Sequence, residues 1–360
     1  MAKIYQIGAG VVGRAMALDL AKKHQVHLAD FDSRSLDRIH QKNNTIQIQT
    51  LDVTHAKSLK HFIEPADIVL LAVPGFLGYK ALQAILETGK NVVDISFSPE
   101  NVLELSSLAK INNVTAIVDA GVAPGIPNFL LGYYHSKMTI DSFEYYVGGL
   151  PKYPIPPFNY KAPFSPVDVI EEYTRPARMM INGEIVTRPA LSEIEIKNFL
   201  NVGELEAFNT DGLRSILSTM NHIPNMKEKT LRYPGHATLM KTFRDDGKFD
   251  SNQIENTSTE LFKSWRMDDN ELEFTILDVI MRNESQTISY HLYDETDMES
   301  GIASMSRTTG YTATATINLI LDGHFSKVGV FPPELVGSIN GCWNYIKTYL
   351  NNRGVYIKKV

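Results

Sequence analysis

Cysteine is almost missing. Cys342 stands alone among 360 residues, which excludes an intrachain disulfide and a cysteine-built metal cluster. The ten histidines show no H-E-x-x-H or comparable ligand spacing, so no metal is expected. Positive charge is not in excess. The formal net charge is −6, so there is no basic field to attract nucleic acid. No apolar run approaches the ~20 residues that span a bilayer, and no repeat or low-complexity tract interrupts the chain. The first strand starts at Lys3, which leaves no room for a signal peptide before it. The expectation is a cytoplasmic protein with neither nucleic acid nor membrane as a partner. A hydrophobic share of 43% and a charged share of 21% describe an ordinary globular chain, long enough for two domains.

The most informative stretch is Lys3 to Asp30. Lys3-Ile4-Tyr5-Gln6-Ile7 reads as a short buried strand, and Gly8-Ala9-Gly10-Val11-Val12-Gly13 follows as a complete G-x-G-x-x-G. Val12, Met16 and Leu20 recur at helical spacing. Val26 to Ala29 reads as a second strand, ending at Asp30, 20 residues past Gly10. Each part suits a bound dinucleotide. Gly8 permits the tight turn, Gly10 lets backbone N–H groups approach a pyrophosphate, and Gly13 lets the helix pack against the strands. The helix N-terminus offers unpaired N–H groups and a positive dipole end. Asp30 stands where an acid accepts hydrogen bonds from the adenosine ribose. Arg34 nearby suits a 2′-phosphate, but Asp30 opposes one, so NAD is favoured over NADP. Strand, turn, helix, strand and spaced acid together make the context that a lone glycine motif lacks.

Alternation continues. Thr45–Gln49 reads as a third strand, and Asp52 after it stands either near an adenine or as a helix N-cap. Asp67 to Val73 is a buried fourth strand leaving through Pro74-Gly75, so Ala72, Val73 and Pro74 line the strand tips where ligands sit. Asn91–Ile95 and Val114–Val118 are the fifth and sixth strands, with Asp94, Ser96 and Phe97 after one and Asp119 after the other. This pattern through about residue 136 predicts a Rossmann doubly wound parallel sheet. Beyond it the texture changes. Phe143–Val147 reads as a strand, and prolines at 151, 154, 156, 157, 163 and 166 mark an ordered loop. Met179–Val186 reads as a hairpin on an Asn-Gly turn. Glu204, Glu206 and Asp211 read as the solvated face and cap of a helix. Leu272–Arg282 and Gln286–Tyr293 read as long antiparallel strands. Ile302–Leu321 reads as a long helix ended by Gly323. The fold class is therefore α/β, with a second α+β domain whose sheet is largely antiparallel. The expected boundaries are 1–136 with 302–360 for the dinucleotide domain, and 137–301 for the substrate and dimerisation domain.

Asp119-Ala120-Gly121-Val122-Ala123-Pro124-Gly125-Ile126-Pro127-Asn128 resembles the G-[LV]-x-P-G segment of the saccharopine dehydrogenase-like family. Phe208-Asn209-Thr210-Asp211-Gly212-Leu213 is similar to its N-x-D-x-L segment. Ser306-Arg307-Thr308-Thr309-Gly310-Tyr311 with Gly329-Val330-Phe331-Pro332-Pro333 is similar to its C-terminal helix and return. The resemblance spans nearly the whole chain and is nearest to the lysine 6-dehydrogenase branch. It implies hydride transfer at a carbon bearing an amine, substrate between the domains, return of the C-terminal segment to the Rossmann domain, and a homodimer through the second domain's sheet. Two positions depart: Ala123 and Thr210 stand where saccharopine reductases commonly carry Asp and Arg.

The expected activity is NAD-dependent oxidation of an amino-acid amine, foremost L-lysine to its 6-semialdehyde with release of ammonia. The alternatives are saccharopine dehydrogenase chemistry and a dinucleotide-binding redox sensor without turnover. Expected cofactor contacts are Gly8, Gly10, Val11, Val12, Gly13, Asp30, Asp52, Ala72, Val73, Pro74, Asp94 and Ser96. Asp119 is the first candidate base and His236 the second. Phe97, Asn209, Asp211, Arg232, Tyr233 and Arg307 are candidates for holding the amino acid.

Overall fold

In a computed structural model, which describes residues 1–268 and 271–360, the chain divides into two compact units. The first is formed by 1–136 and 306–354, the second by 137–305 and 355–360. In chain order the first unit begins with β1 (Lys3–Ile7), α1 (Val11–Leu20), β2 (Gln25–Asp30), α2 (Ser33–Lys42), β3 (Gln47–Thr50), α3 (Ala56–Ile63), β4 (Ile68–Leu71), α4 (Gly75–Leu86), β5 (Asn91–Asp94), α5 (Ser106–Ile111), β6 (Thr115–Ile117) and α6 (Ile126–His135). The second unit follows with β7 (Ser142–Pro151), α7 (Pro166–Thr174), β8 (Ala177–Ile181), β9 (Glu184–Arg188), β10 (Glu195–Phe199), β11 (Gly203–Asn209), α8 (Ile216–Thr219), β12 (Asn225–Arg232), α9 (His236–Asp245), α10 (Ile254–Ser264), β13 (Glu273–Arg282) and β14 (Thr287–Glu295). Then come α11 (Ser304–Leu321), β15 (Gly329–Phe331), α12 (Pro333–Gly337), α13 (Cys342–Asn351) and β16 (Ile357–Lys359).

The first unit's seven strands lie parallel in the order β15-β6-β5-β4-β1-β2-β3. Strand order reverses at β1, between β4 and β2, which opens a crevice at the carboxyl ends of these strands. Continuous apolar strands such as Ile68-Val69-Leu70-Leu71 are buried throughout, as a sheet covered on both faces requires. The C-terminal helices are tied in by one carboxylate. Asp19 on α1 is buried and accepts from Thr314 Oγ1 (2.8 Å), Tyr349 Oη (2.8 Å) and Arg353 Nε (2.8 Å). A buried charge with this many donors is compensated rather than stranded. Thr312 and Thr316 on α11 turn their hydroxyls back to carbonyls one helical turn earlier, which lets threonine occupy a buried helix face.

The second sheet runs β10-β11-β12-β7-β13-β14-β16, with β8 beside β12 and β9 beside β8. Among the described residues only β12 and β7 pair in parallel in this sheet; its remaining pairs are antiparallel. Asn182 and Gly183, both at positive φ, make the expected β8–β9 turn. One expectation is corrected here: Glu204 and Glu206 lie on strand β11, not on a helix. Their alternation with buried Leu205 and Ala207 carried the period-2 signal. The chain's end also departs from the expected boundary. Residues 355–360 belong to the second unit, where β16 pairs with β14. That pairing covers part of the β14 edge, which the sequence left open as a dimerisation surface.

Candidate active site

In the first unit the sequence-predicted cofactor residues converge at the carboxyl tips of β1, β2, β4, β5 and β6. Backbone hydrogen bonds stitch these tips together: Gly8 to Ala29, Ala72 to Ile7, Ile95 to Leu71 and Ala120 to Asp94. The three motif glycines have different reasons to be glycine. A Cβ on Gly8 (φ +109) would overlap the Ala72 carbonyl, and one on Gly13 would overlap the Gly8 carbonyl. Those two are demanded by the protein's own packing. A Cβ on Gly10 would meet no protein atom within 4 Å. Its bareness leaves space at the N-cap of α1, where helix N–H groups point outward.

A buried glutamine, which sequence reasoning passed over, fixes the turn from beneath. Gln6 Nε2 donates to the carbonyls of Gly8 (2.8 Å) and Gly13 (2.7 Å). A lone polar residue inside an apolar strand was the available signal. Asp30 Oδ2 accepts the Ala9 amide at 2.6 Å, and Asp30 Oδ1 accepts the Asp32 amide at 2.8 Å. Arg34 pairs with Asp32 at 3.1 Å and is exposed. Asp52 closes on its own turn, accepting from the Thr54 amide and hydroxyl, while His55 takes the N-cap of α3. Val12, Ala72, Val73 and Pro74 are half-buried at the crevice rim. Val11, Phe31 and Phe76 stand exposed after β1, β2 and β4, Phe31 to 80%. Exposed aromatics on these tips offer flat apolar surface for a ring, and neither phenylalanine carried a sequence signal beyond its position.

Asp94 is buried at the end of β5 and accepts the Ser96 amide at 2.7 Å. Ser96 Oγ and Ser98 Oγ are buried with no hydrogen-bond partner among the described residues. Both hydroxyls pack against Gly78 of α4, where a Cβ would overlap them, whereas the open space at Gly10, with Asp30 beside the turn, fits a polar ligand lying along the tips. The residues present therefore suit a nicotinamide dinucleotide. Asp119 is buried and held at φ 54, a left-handed conformation uncommon outside glycine and enriched at functional sites. It precedes a turn in which Gly125 (φ +142) passes so close to Gly121 that a Cβ would overlap its carbonyl. Phe97 is half-buried after β5. Arg307 on α11 is buried and donates to the Arg353 carbonyl at 3.1 Å.

In the second unit Arg232 and His236 come together in a buried aromatic cluster. Arg232 donates to Glu172 (2.7 Å) and Tyr173 (3.2 Å), and its guanidinium lies 4.3 Å from the Tyr160 ring centre. His236, the reserve base, has a different role in the structure. Its Nδ1 faces the Phe158 carbonyl (2.7 Å) and its Nε2 faces the Tyr173 hydroxyl (2.9 Å). Burial, then the Arg232 charge, push its pKa down to about 3. It is thus a neutral core histidine whose two nitrogens are both engaged, poorly placed to collect a proton. Tyr233 Oη donates to the Pro151 carbonyl at 3.0 Å. Asn209 is buried and donates to Ser192 and Glu193, while Asp211 forms a two-pronged pair with Arg178 (2.9 and 2.8 Å). Glu206, read from sequence as solvated, instead accepts the Gly235 amide at 3.0 Å and the Ala237 amide at the start of α9. A carboxylate there meets the helix's orphan donors and positive end.

The parallel sheet, the glycine turn and the acid at the tip of β2 define a dinucleotide-binding domain of the Rossmann type. Two family models match: the saccharopine dehydrogenase NADP binding domain over residues 4–117 and the saccharopine dehydrogenase C-terminal domain over 121–355, the latter taking in both the second unit and the C-terminal part of the first. The chain belongs to the saccharopine dehydrogenase family. It is 24% identical over 257 residues to rat mitochondrial alpha-aminoadipic semialdehyde synthase, covering 67% of this chain and 28% of that protein. It is 26% identical over 229 residues to the Arabidopsis thaliana alpha-aminoadipic semialdehyde synthase, covering 59% and 22%. The chain thus spans about a quarter of the length of these relatives. The fold matches an apo saccharopine dehydrogenase (L-Glu forming) from Saccharomyces cerevisiae with a TM-score of 0.79 at 18% identity, over 100% of this chain and 99% of that one. No helix among the described residues is long and apolar enough to cross a membrane.

Proposed function

We propose that the chain oxidises the ε-amine of L-lysine with NAD, giving the 6-semialdehyde and ammonia. The observation that carries this reading is the state of two arginines of the second unit, one of them a candidate for holding the substrate. Arg232 and Arg178 are each committed to a carboxylate of their own chain. Thr210, where saccharopine reductases commonly carry Arg, is buried on Glu228 at 2.6 Å. A substrate with several carboxylates calls for several guanidinium forks, and lysine has one carboxylate. Asp30, Gly10 and the N-terminus of α1 would hold the dinucleotide, which when bound supplies a hydride acceptor. Asp119 takes the ammonium proton, because an ammonium has no lone pair to expel a hydride. The amine then forms a C=N bond as the hydride leaves carbon; water adds and ammonia departs. Oxidation should therefore quicken toward alkaline pH. Asp119→Asn should lower kcat at least tenfold with KM little changed, as expected for a group acting mainly in the transition state.

The second reading is saccharopine oxidation or formation, favoured by what the relatives and the yeast structure are named. A non-catalytic redox sensor is the reading of another class. Absorbance at the reduced-nicotinamide band separates the three. Turnover with lysine and NAD supports the first. Turnover only with saccharopine, or with glutamate plus semialdehyde and reduced cofactor, transfers the activity to the second. Tight cofactor binding without turnover of any of these leaves the sensor. A homodimer belongs to the same proposal, supported by the outer edges of β9 and β10, which pair with no further strand among the described residues; a cytoplasmic location is proposed with it.

A further inference from the structure

A cavity of about 210 Å³ opens on the second unit's sheet, where β8, β12, β7 and β13 lie side by side. Strand register sorts its walls. Met180 opposes Met226, Lys227 opposes Glu144, and Arg282 opposes Ser142. Side chains alternate along a strand, so Met179 and Ile181 share a face with Lys227, Glu144 and Arg282. One end of the cavity is therefore aliphatic and the other charged.

The charged end is unbalanced. Glu144 is buried, and its carboxylate accepts from Arg282 Nη1 (2.5 Å), Lys227 Nζ (3.0 Å) and Tyr146 Oη (3.1 Å). Burial pushes its pKa up, but Arg282 and Lys227 outweigh burial and hold it below the usual range. One carboxylate faces two cations, which leaves one positive charge unmatched within the trio. A guanidinium carries five N–H donors and an ammonium three, more than Glu144 has lone pairs to receive. Both cations are partly exposed. Glu193 at the rim is itself engaged by Asn209 and Arg188. The aliphatic end is bordered by Met179, a side chain that adapts to irregular apolar shapes, and by Ile181.

We propose that this cavity is a ligand site for a small aliphatic monocarboxylate. The carboxylate docks on Arg282 and Lys227 and restores neutrality; the apolar chain lies on Met179 and Ile181. Two sources share that chemistry, an apolar α-amino acid and its 2-oxo acid. The amino acid would add an ammonium, which would share Glu193 with Asn209 and Arg188. The site is independent of the dehydrogenase assignment, since every residue it uses lies away from the glycine turn and from Asp119 in sequence and belongs to the second unit.

The test is calorimetric titration of the full chain with L-leucine, 4-methyl-2-oxopentanoate and hexanoate, with acetate and L-glutamate as controls. The expected result is saturable binding of at least one aliphatic acid, roughly tenfold or more tighter than acetate, and undiminished by saturating NAD and L-lysine. Arg282→Gln leaves Glu144 paired with Lys227 and should weaken binding by about tenfold, the loss of one charge-assisted hydrogen bond. Ile181→Glu, at the end of β8, should weaken it by setting a carboxylate against the chain; it serves if Arg282→Gln fails to fold. Binding of leucine but not of the oxo acid assigns a role to Glu193, and binding of both assigns the affinity to the carboxylate. No saturable binding, displacement by lysine, or affinity unmoved by both substitutions overturns the proposal.

Discussion

Asp30 Oδ2 accepts the Ala9 amide at 2.6 Å, so the acid at the tip of β2 is oriented by the glycine turn it serves. In the proposed binding mode the same carboxylate would meet the adenosine ribose, and a 2′-phosphate brought there would meet a like charge. NAD should bind about tenfold or more tighter than NADP, and Asp30→Asn should narrow that gap while one oxygen still accepts the Ala9 amide. Fluorescence titration with both cofactors checks this; equal affinities in the unsubstituted chain would remove Asp30 from the role.

Gly10 and Gly13 should fail differently when enlarged. Gly10→Val adds a side chain into space no protein atom fills, so the variant should fold normally and lose cofactor binding. Gly13→Val drives a side chain into the Gly8 carbonyl and should cost stability, on the order of 1–3 kcal/mol as for other overpacked sites. Thermal melts paired with cofactor titration separate the two. A Gly10→Val variant that binds normally would move the pyrophosphate elsewhere.

The contrast between these glycines also shows how far the sequence could be read. The motif, its spacing and the alternation of strands are local, so the parallel sheet and the cluster of Gly8, Gly13, Asp30, Asp94 and Asp119 at its tips were legible. The second unit was less so. Whether Glu206 faces water or the start of α9 is decided by a strand and a turn some 30 residues apart. His236 offered the same difficulty: its chemistry depends on Tyr173 and on the Phe158 carbonyl, neither adjacent in the chain. Long-range partners set the fate of polar residues, and a single sequence does not show which partners converge.

Buried groups held neutral make the fold's stability depend on pH. Burial raises Glu228 to about 8 and Glu273 to about 8, above the reference for an exposed glutamate of about 4.3. A carboxyl raised in the fold contributes stability that is full below the unfolded pKa and lost as pH climbs through the folded one. His236, lowered to about 3, contributes stability that is present above the unfolded value of about 6.5 and lost on acidification below it. Between pH 6.5 and 8 only the carboxyls act, and stability should fall. Glu228→Gln keeps an acceptor for Thr210 and Gly212 and should flatten that fall by up to about 1.4 kcal/mol per pH unit. Urea denaturation across this range measures it; an unchanged slope would mean that Glu228 is ionised in the fold.

The outer edge of β10 offers a second copy a place to pair. Among the described residues β10 has β11 on one side only, and Ile185, Ile194, Ile196 and Leu200 are exposed around this end of the sheet, Ile196 to 55%. Antiparallel pairing about a two-fold axis at Ile196 would set Glu195 of one copy against Lys197 of the other, and Ile196 against its equivalent. Edge strands left bare in this way invite such pairing. Ile196→Cys should give a covalent dimer on mild oxidation, because facing residues lie about 4.5–5.5 Å apart at Cα, within disulfide reach. Buried Cys342 should not interfere. Glu195→Lys should weaken the dimer in sedimentation, and adding Lys197→Glu should restore it. A monomer that never crosslinks would rule out this edge.

The return of the last strand has a consequence for anyone dividing this protein. The chain passes between the two units at residues 136–137, 305–306 and 354–355. No single uninterrupted gene fragment encodes the dinucleotide unit, which would have to be expressed as 1–136 spliced to 306–354. Removing only the last six residues, far from the glycine turn in sequence, would take β16 away and leave Tyr290, His291 and Leu292 of β14 paired with β13 alone. A C-terminal tag or deletion is therefore an operation on the second sheet, even though the residues just before it build the first.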